Sequence, residues 1–382
     1  MSGERPRVAW VTNDLPPHSG GIQQFVASLL TRTADPSTLV LGPAAPADRT
    51  AAAETFDASG PWRTRRAPGR VLPTASSARW LTARLAEHRP DVVVIASVWP
   101  LGRLAGAIGR AAGAPVLGIT HGAEAGLAAG PARGLLRTVA RDVDLLTVIS
   151  DHTADAVGRV LDVPLARLSP GVDADRFAAE AHAQAAATLR ARWGVPADAP
   201  VVGCVARLVA RKGQDVLLDV WPEVRRARPD AHLVLVGEGS LRARLARRAA
   251  RVDGAHVVGP VTWDELPAAY AALDLFAMPV RTRLVGLDVE GLGISMLEAQ
   301  AAGRPVVTGR SGGAPETVRD PRAGSVVDGR DAREVAAALV RWLDDAQGRT
   351  TMRTLGPELA RAWSWDTVAE RFDTLVDGLV RR

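Results

Sequence analysis

Lysine is almost absent from this 382-residue chain: it occurs once, at position 212, against 46 arginines. Cysteine also occurs once, as Cys204, which excludes an internal disulfide and fits a reduced, cytoplasmic setting. Aromatic residues make up only 4% of the chain, and no basic block is interleaved with them. The formal charge of +5 and the pI of about 10.5 therefore reflect arginine bias and do not mark a nucleic-acid partner. Long apolar runs are missing too. Val8–Val11 is too short for the apolar region of a signal peptide, and no run approaches the ~18 residues of a membrane span. No low-complexity segment or short-period repeat is present. The protein is expected in solution, or at most on a membrane surface.

What remains is a globular composition, 47% hydrophobic and 23% charged, in a chain too long for one core. Val8–Val11, Val92–Ile95, Val116–Ile119 and Leu145–Ile149 read as buried strands. Ile22–Leu30, Ala78–Glu87 and Leu101–Ala112 between them have helical spacing. The pattern recurs with strands at Val201–Val205, Leu233–Val236, Leu275–Met278 and Pro305–Val307. Helices are expected at Asp215–Arg226, Leu241–Ala249, Ile294–Ala302 and Ala332–Leu343. Such alternation predicts an α/β fold of two doubly wound, Rossmann-like domains, divided near Ser169-Pro-Gly-Val-Asp173 and facing each other across a cleft.

Ligands of open parallel sheets bind beyond the carboxyl ends of the strands, and the distinctive loops fall there. After the first strand, Gly20 and Gly21 precede a helix and let amides approach an anion, with Asp14 and Gln23 nearby. Thr120-His121-Gly122-Ala123-Glu124 places a histidine suited to a donor or a proton relay. Val201–Val205 leads to Arg207 and, five residues on, Lys212, a plausible phosphate grip. Glu290 lies in a turn with Gly291, Leu292 and Gly293. There a carboxylate can meet sugar hydroxyls and amides can meet a phosphate. Glu298, inside the apolar helix that follows, needs a partner, and ribose hydroxyls would serve. Ser311-Gly-Gly-Ala-Pro-Glu316 reads as a further anion nest.

Arg207 with Lys212, Glu290 and Glu298 eight positions apart, and the Ser311–Glu316 loop resemble the retaining glycosyltransferases of family 4, with GT-B architecture. The resemblance runs through nearly the whole chain, including Gly20-Gly21, Thr120-His121-Gly122, Pro170-Gly-Val-Asp173 and Trp363-Ser-Trp365. Asn13-Asp-Leu-Pro-Pro17, Arg281-Thr-Arg283 and Gly286–Gly293 are most similar to the actinobacterial GDP-mannose-dependent mannosyltransferases of phosphatidyl-myo-inositol mannosides. The resemblance implies an acceptor-binding domain over residues 1–170 and a nucleotide-sugar-binding domain over 171–362. A C-terminal helix, 363–382, would pack back on the first. Arg207 and Lys212 would hold the donor diphosphate, Glu290 and the amides of Gly291, Leu292 and Gly293 the sugar, and Glu298 the ribose. His121 would lie near the sugar, Gly20 and Gly21 would close on the diphosphate, and Asp14, Gln23 and Glu124 would meet the acceptor. The chain departs from the pattern at Ala123 and in the small, apolar Ala125–Gly130, the loop that would face that acceptor.

No cofactor or metal is expected, because Arg207 and Lys212 already supply the charge a metal would bring. Asp142-Val-Asp144 and Asp173-Ala-Asp175 lie beside a buried strand and in the linker. Arg133, Arg137 and Arg141 recur every fourth residue, and Arg63, Arg65, Arg66 and Arg70 form a second cluster. Both would suit an anionic membrane surface at the inner face. Three alternatives stay open: a UDP- or dTDP-linked sugar with a soluble acceptor, a sugar-nucleotide 2-epimerase, and an inactive binding protein.

Overall fold

The computed structural model describes residues 5–18, 20–131 and 133–381. It divides into two units, residues 1–171 with 365–382, and residues 172–364. In the first unit, seven parallel strands form one sheet: β1 (Val8–Val11), β2 (Leu39–Gly42), β3 (Arg63–Arg66), β4 (Val92–Ile95), β5 (Val116–Ile119), β6 (Leu145–Val148) and β7 (Leu165–Arg167). Their order is 3-2-1-4-5-6-7, so the sheet winds outward both ways from β1 and β4.

The central strands are apolar throughout because both faces are covered. Alternate residues serve opposite cores. Trp10, Val92, Val94, Leu117 and Ile119 face one side, while Ala9, Val11, Val93, Ile95 and Val116 face the other. The helix Gly21–Thr33 and the C-terminal helix Trp365–Val380 cover the first side. Phe372 stacks on Trp10 with ring centroids 5.1 Å apart, and Arg32 pairs with Asp366 at 2.9 Å. The helix Ala75–His88 contributes Leu81 and Leu85 to the second side.

The edge strand β3 has no apolar residue at all, which is why its sequence, Arg63-Thr-Arg-Arg66, does not read as a strand. Charged edges of this kind resist pairing with other chains. Alternation also splits the arginine cluster seen in the sequence. Arg63 and Arg65 are exposed, whereas Arg66 points to the other face. There it pairs with Asp57 at 2.7 Å and donates to the Pro16 carbonyl at 2.9 Å. Arg66 is thus committed within the unit and does not belong to a free basic patch.

The second unit repeats the plan with six parallel strands: β8 (Val201–Val205), β9 (His232–Val236), β10 (Ala255–Gly259), β11 (Leu275–Met278), β12 (Val306–Gly309) and β13 (Gly324–Val327). The order 10-9-8-11-12-13 puts β8 and β11 at the centre. The helix Ala332–Asp344 shows how sequence sets a boundary. Asp331 caps it by accepting from the amides of Arg333 and Glu334, at 2.8 and 3.2 Å. Val335, Ala336, Leu339, Trp342 and Leu343 then form one buried stripe at helical spacing. Among the described residues, no helix is long and apolar enough to cross a membrane.

Candidate active site

Three loops converge at the carboxyl ends of β8, β11 and β12. The first leaves β8, makes a short turn at Ala210–Lys212 and enters the helix Gln214–Ala227 at Gly213. Gly213 has φ of 79°, and a side chain there would lie 2.2 Å from the Pro279 carbonyl oxygen, so only glycine permits this approach to the β11 loop. The Arg281 amide donates to the Arg211 carbonyl at 2.9 Å, and its guanidinium donates to Asp215 at 2.6 Å. The β12 loop is equally close: the Gly313 amide donates to the Glu290 carbonyl at 3.0 Å.

Lys212 is only 7% exposed, and its Nζ lies 2.9 Å from Oε2 of Glu290, itself 6% exposed. Arg211 reaches the same oxygen at 3.3 Å and Asp288 at 3.4 Å. Burial alone would raise the pKa of Glu290, but Lys212 and then Arg211 more than offset it, so the net shift is downward. Arg207 is in a different state. It is exposed, and its guanidinium has no partner among the described residues, while its carbonyl accepts from Nε2 of the buried Gln214 at 3.0 Å. Cys204, on β8 beneath, is inert: burial pushes its thiol up to about 12 against the pull of Lys212 and Gln214.

Gly291, Leu292 and Gly293 run from Glu290 into the helix Ile294–Ala301, and their amides donate to no protein group among the described residues. A helix start with unengaged amides has the chemistry to receive an anion. Glu298 sits one turn deeper. Its carboxylate accepts from the Tyr270 hydroxyl at 2.6 Å, and burial pushes its pKa up against that bond, Arg176 and Lys212. Tyr270 is fully buried and is the chain's single tyrosine. Sequence reasoning missed Tyr270 and Arg211. The isolation of one tyrosine among alanines and the Arg211-Lys212 adjacency were the available signals.

The first unit holds the other expected residues. Gly20 and Gly21 are exposed at the start of the helix Gly21–Thr33, where Gln23 donates to Asp14 at 2.8 Å. His121 follows β5. Its Nε2 lies 2.6 Å from the Ala96 carbonyl oxygen and must carry the proton, and Phe25 packs edge-on at 5.2 Å. Burial lowers its pKa to about 4 despite the Ala96 bond. His121 is therefore neutral, and its one free function is the Nδ1 lone pair, an acceptor and not a donor. Glu124 is 1% exposed, and its Oε2 accepts from the amides of His121 and Gly122, each at 3.1 Å. Its carboxylate holds the His121 loop from within. Ala123–Ala129 is a short helix with Ala125 and Ala128 buried.

The Lys212–Glu290 pair has a pH signature. A carboxyl with a depressed folded pKa contributes stability above its unfolded value, here 4.5, and loses it as the pH falls through the folded value. Glu290→Gln is expected to be less stable than the parent at neutral pH, with the gap closing under acid. Urea unfolding across an acid series measures it, and parallel curves for the two proteins would refute the assignment.

Residues 19–176 match the profile of "Glycosyltransferase Family 4", and residues 199–345 that of "Glycosyl transferases group 1". The chain is 41% identical to the GDP-mannose-dependent alpha-(1-6)-phosphatidylinositol monomannoside mannosyltransferase of Mycolicibacterium smegmatis, over 96% of this chain and 97% of that protein. It is 38% identical to the GDP-mannose-dependent monoacylated alpha-(1-6)-phosphatidylinositol monomannoside mannosyltransferase of Corynebacterium glutamicum, over 98% and 99%. Among solved structures, Anabaena HepE in complex with UDP and glucose has the same fold, with a TM-score of 0.78 at 18% identity over 98% of this chain and all of that one. The chain belongs to the family 4 glycosyltransferases and is a hexosyltransferase of GT-B architecture.

Proposed function

We propose that this enzyme transfers mannose from GDP-mannose to a phosphatidylinositol mannoside, with retention at the anomeric carbon and without a metal. The observation that carries the reading is the buried Lys212–Glu290 pair beside unengaged helix amides, in a chain 41% identical along its length to an enzyme of that description. The donor diphosphate takes Arg207, Lys212 and the amides of Gly291, Leu292 and Gly293. Glu290, kept ionised by Lys212 and Arg211, accepts from a sugar hydroxyl, and Glu298, oriented by Tyr270, accepts from the ribose. As the bond from the anomeric carbon to the diphosphate oxygen breaks, charge grows on that oxygen. Fixed cations stabilise it there without reorganising. The acceptor oxygen attacks the same face of the sugar, and its proton passes to a donor phosphate oxygen, so no protein base is required. His121, neutral and anchored to Ala96, offers an acceptor nitrogen and stays out of the proton transfer.

Absence of a metal is supported by what the Asp-x-Asp triplets do. Asp144 accepts from the Val116 amide at 2.7 Å, and Asp173 from the Arg176 amide at 3.1 Å. Contact with an anionic membrane is supported by the helix Arg133–Ala140. Arg133, Arg137 and Leu135 are exposed there, while Leu136 and Val139 are buried. Arg141 is exposed just past the helix end.

Thermal shift with GDP, UDP, ADP and dTDP tests the donor. GDP is expected to stabilise most, equally with and without EDTA, and a UDP or dTDP preference would overturn the donor while leaving the family untouched. Lys212→Arg is expected to fold and to lose about 100-fold or more in transfer from labelled GDP-mannose; a wild-type rate would show that any cation serves. Arg133→Ser/Arg137→Ser/Arg141→Ser should sediment less with anionic vesicles at low salt, since each arginine contributes about 1 kcal/mol near such a surface. Equal sedimentation would remove this helix from the membrane contact.

A further inference from the structure

The first unit carries a second basic site at the opposite ends of its strands. The register Leu39↔Arg63 and Leu41↔Arg65 turns both arginines toward the side that Leu39, Leu41, Leu81 and Leu85 fill nearer the centre. At β3 the apolar residues run out. In their place lies a cavity of about 400 Å³, walled by Arg63 and Arg65, by Arg84, Glu87 and His88 from the helix Ala75–His88, and by Arg7 and Ser37 ahead of β1 and β2.

The charge in this cavity is unbalanced. Four guanidiniums face one carboxylate, and no ion pair joins any of them to a protein group among the described residues. Two are anchored without being neutralised. Arg84 donates to the Trp80 carbonyl at 2.9 Å and lies 4.4 Å over its ring, and Arg7 donates to the Arg89 carbonyl. Arg63 and Arg65 have no side-chain partner among the described residues, in contrast to Arg66, Arg190 and Arg281, each of which is paired with an aspartate. Held fixed, such a set repels itself, and a phosphate with its several acceptor oxygens relieves the repulsion through forked guanidinium bonds. A water takes about 30 Å³, so the volume far exceeds one phosphate and suits a small organic ligand. Glu87 is there for a ligand hydroxyl, and the Ser37 hydroxyl, which donates to Asp35 at 2.6 Å, keeps its lone pairs for another.

We propose that this pocket binds a phosphate ester of a small polyol, with the phosphate on Arg63, Arg65 and Arg84 and the hydroxyls on Ser37 and Glu87. The site is distinct from the one assigned above, whose residues all follow the carboxyl ends of strands. Its ligand is either a free polyol phosphate or the headgroup of an anionic lipid, and the two share this chemistry.

Hydrogen exchange on the full chain separates them, because it reads each site locally. sn-Glycerol 3-phosphate, and vesicles of phosphatidylglycerol in phosphatidylcholine, are the probes; glycerol and pure phosphatidylcholine vesicles are the controls. Several-fold slower exchange across residues 61–66 and 84–91 is expected with one probe or both. Protection by the soluble ester identifies a free ligand, and protection by vesicles alone identifies a headgroup. Arg63→Ser/Arg65→Ser, both exposed and outside the core, should keep the exchange pattern of the free protein. It should lose that protection and bind the effective probe about tenfold or more weakly. No protection from either probe, or protection unchanged in the variant, overturns the proposal.

Discussion

A buried ion pair between Lys212 and Glu290 fixes the geometry on which the second unit's chemistry rests. Neither charge would be tolerated alone, since an isolated buried ion costs several kcal/mol. Joined at 2.9 Å, with Arg211 on the same oxygen, they bind the loop after β8 to the loop after β11. The glycines around them exist for this closeness. Gly213 leaves room for the Pro279 carbonyl, and a side chain at Gly312 would lie 1.8 Å from the Glu290 carbonyl oxygen. A lysine suits the centre of such a knot because its charge is compact and its stem slender. An arginine fork needs a plane of acceptors that this space does not provide. That constraint explains why the one lysine survives in a chain that uses arginine everywhere else.

The same economy governs the first unit. Carboxylates that might have met a ligand are instead used to hold loops. Glu124 accepts two backbone amides beneath His121, and Asp14 accepts from Gln23. His121 is itself pinned through Nε2, and burial keeps it neutral, so this unit presents groups whose orientation is already set. Preorganisation of this kind is what electrostatic catalysis requires, because groups already fixed need not reorient as charge develops.

Much of this was legible in the sequence, and the limits have physical causes. The central strands β1, β4, β5, β8 and β11 announce themselves as apolar runs because both faces are buried. The edge strands β3 and β10 do not, since Arg63–Arg66 carries no apolar residue and Ala255–Val258 are only partly buried, so both answer in part to solvent. Glu290, Glu298 and Lys212 stand out by spacing and rarity. That Lys212 is buried against Glu290, and that Glu298 has Tyr270 for a partner, depends on residues far apart in the chain, which no local pattern encodes. Glu124 looked available because its loop follows a strand end, and only three dimensions reveal that its carboxylate turns back on its own amides.

Arginine bias makes residue type uninformative here, so partner state has to take its place. Arg66, Arg190 and Arg281 are bound to Asp57, Asp274 and Asp215, and they serve the fold. Arg207 stands free on the loop that carries Lys212, while Arg63 and Arg65 stand free around a cavity at the amino ends of the first unit's strands. A lone exposed arginine is ordinarily solvated and means nothing. Several that converge, unpaired, on one volume carry a standing electrostatic cost that the fold does not need. In this chain that happens at the amino ends of the first unit's strands, around Arg63, Arg65 and Arg84, where nothing in the transfer chemistry requires it.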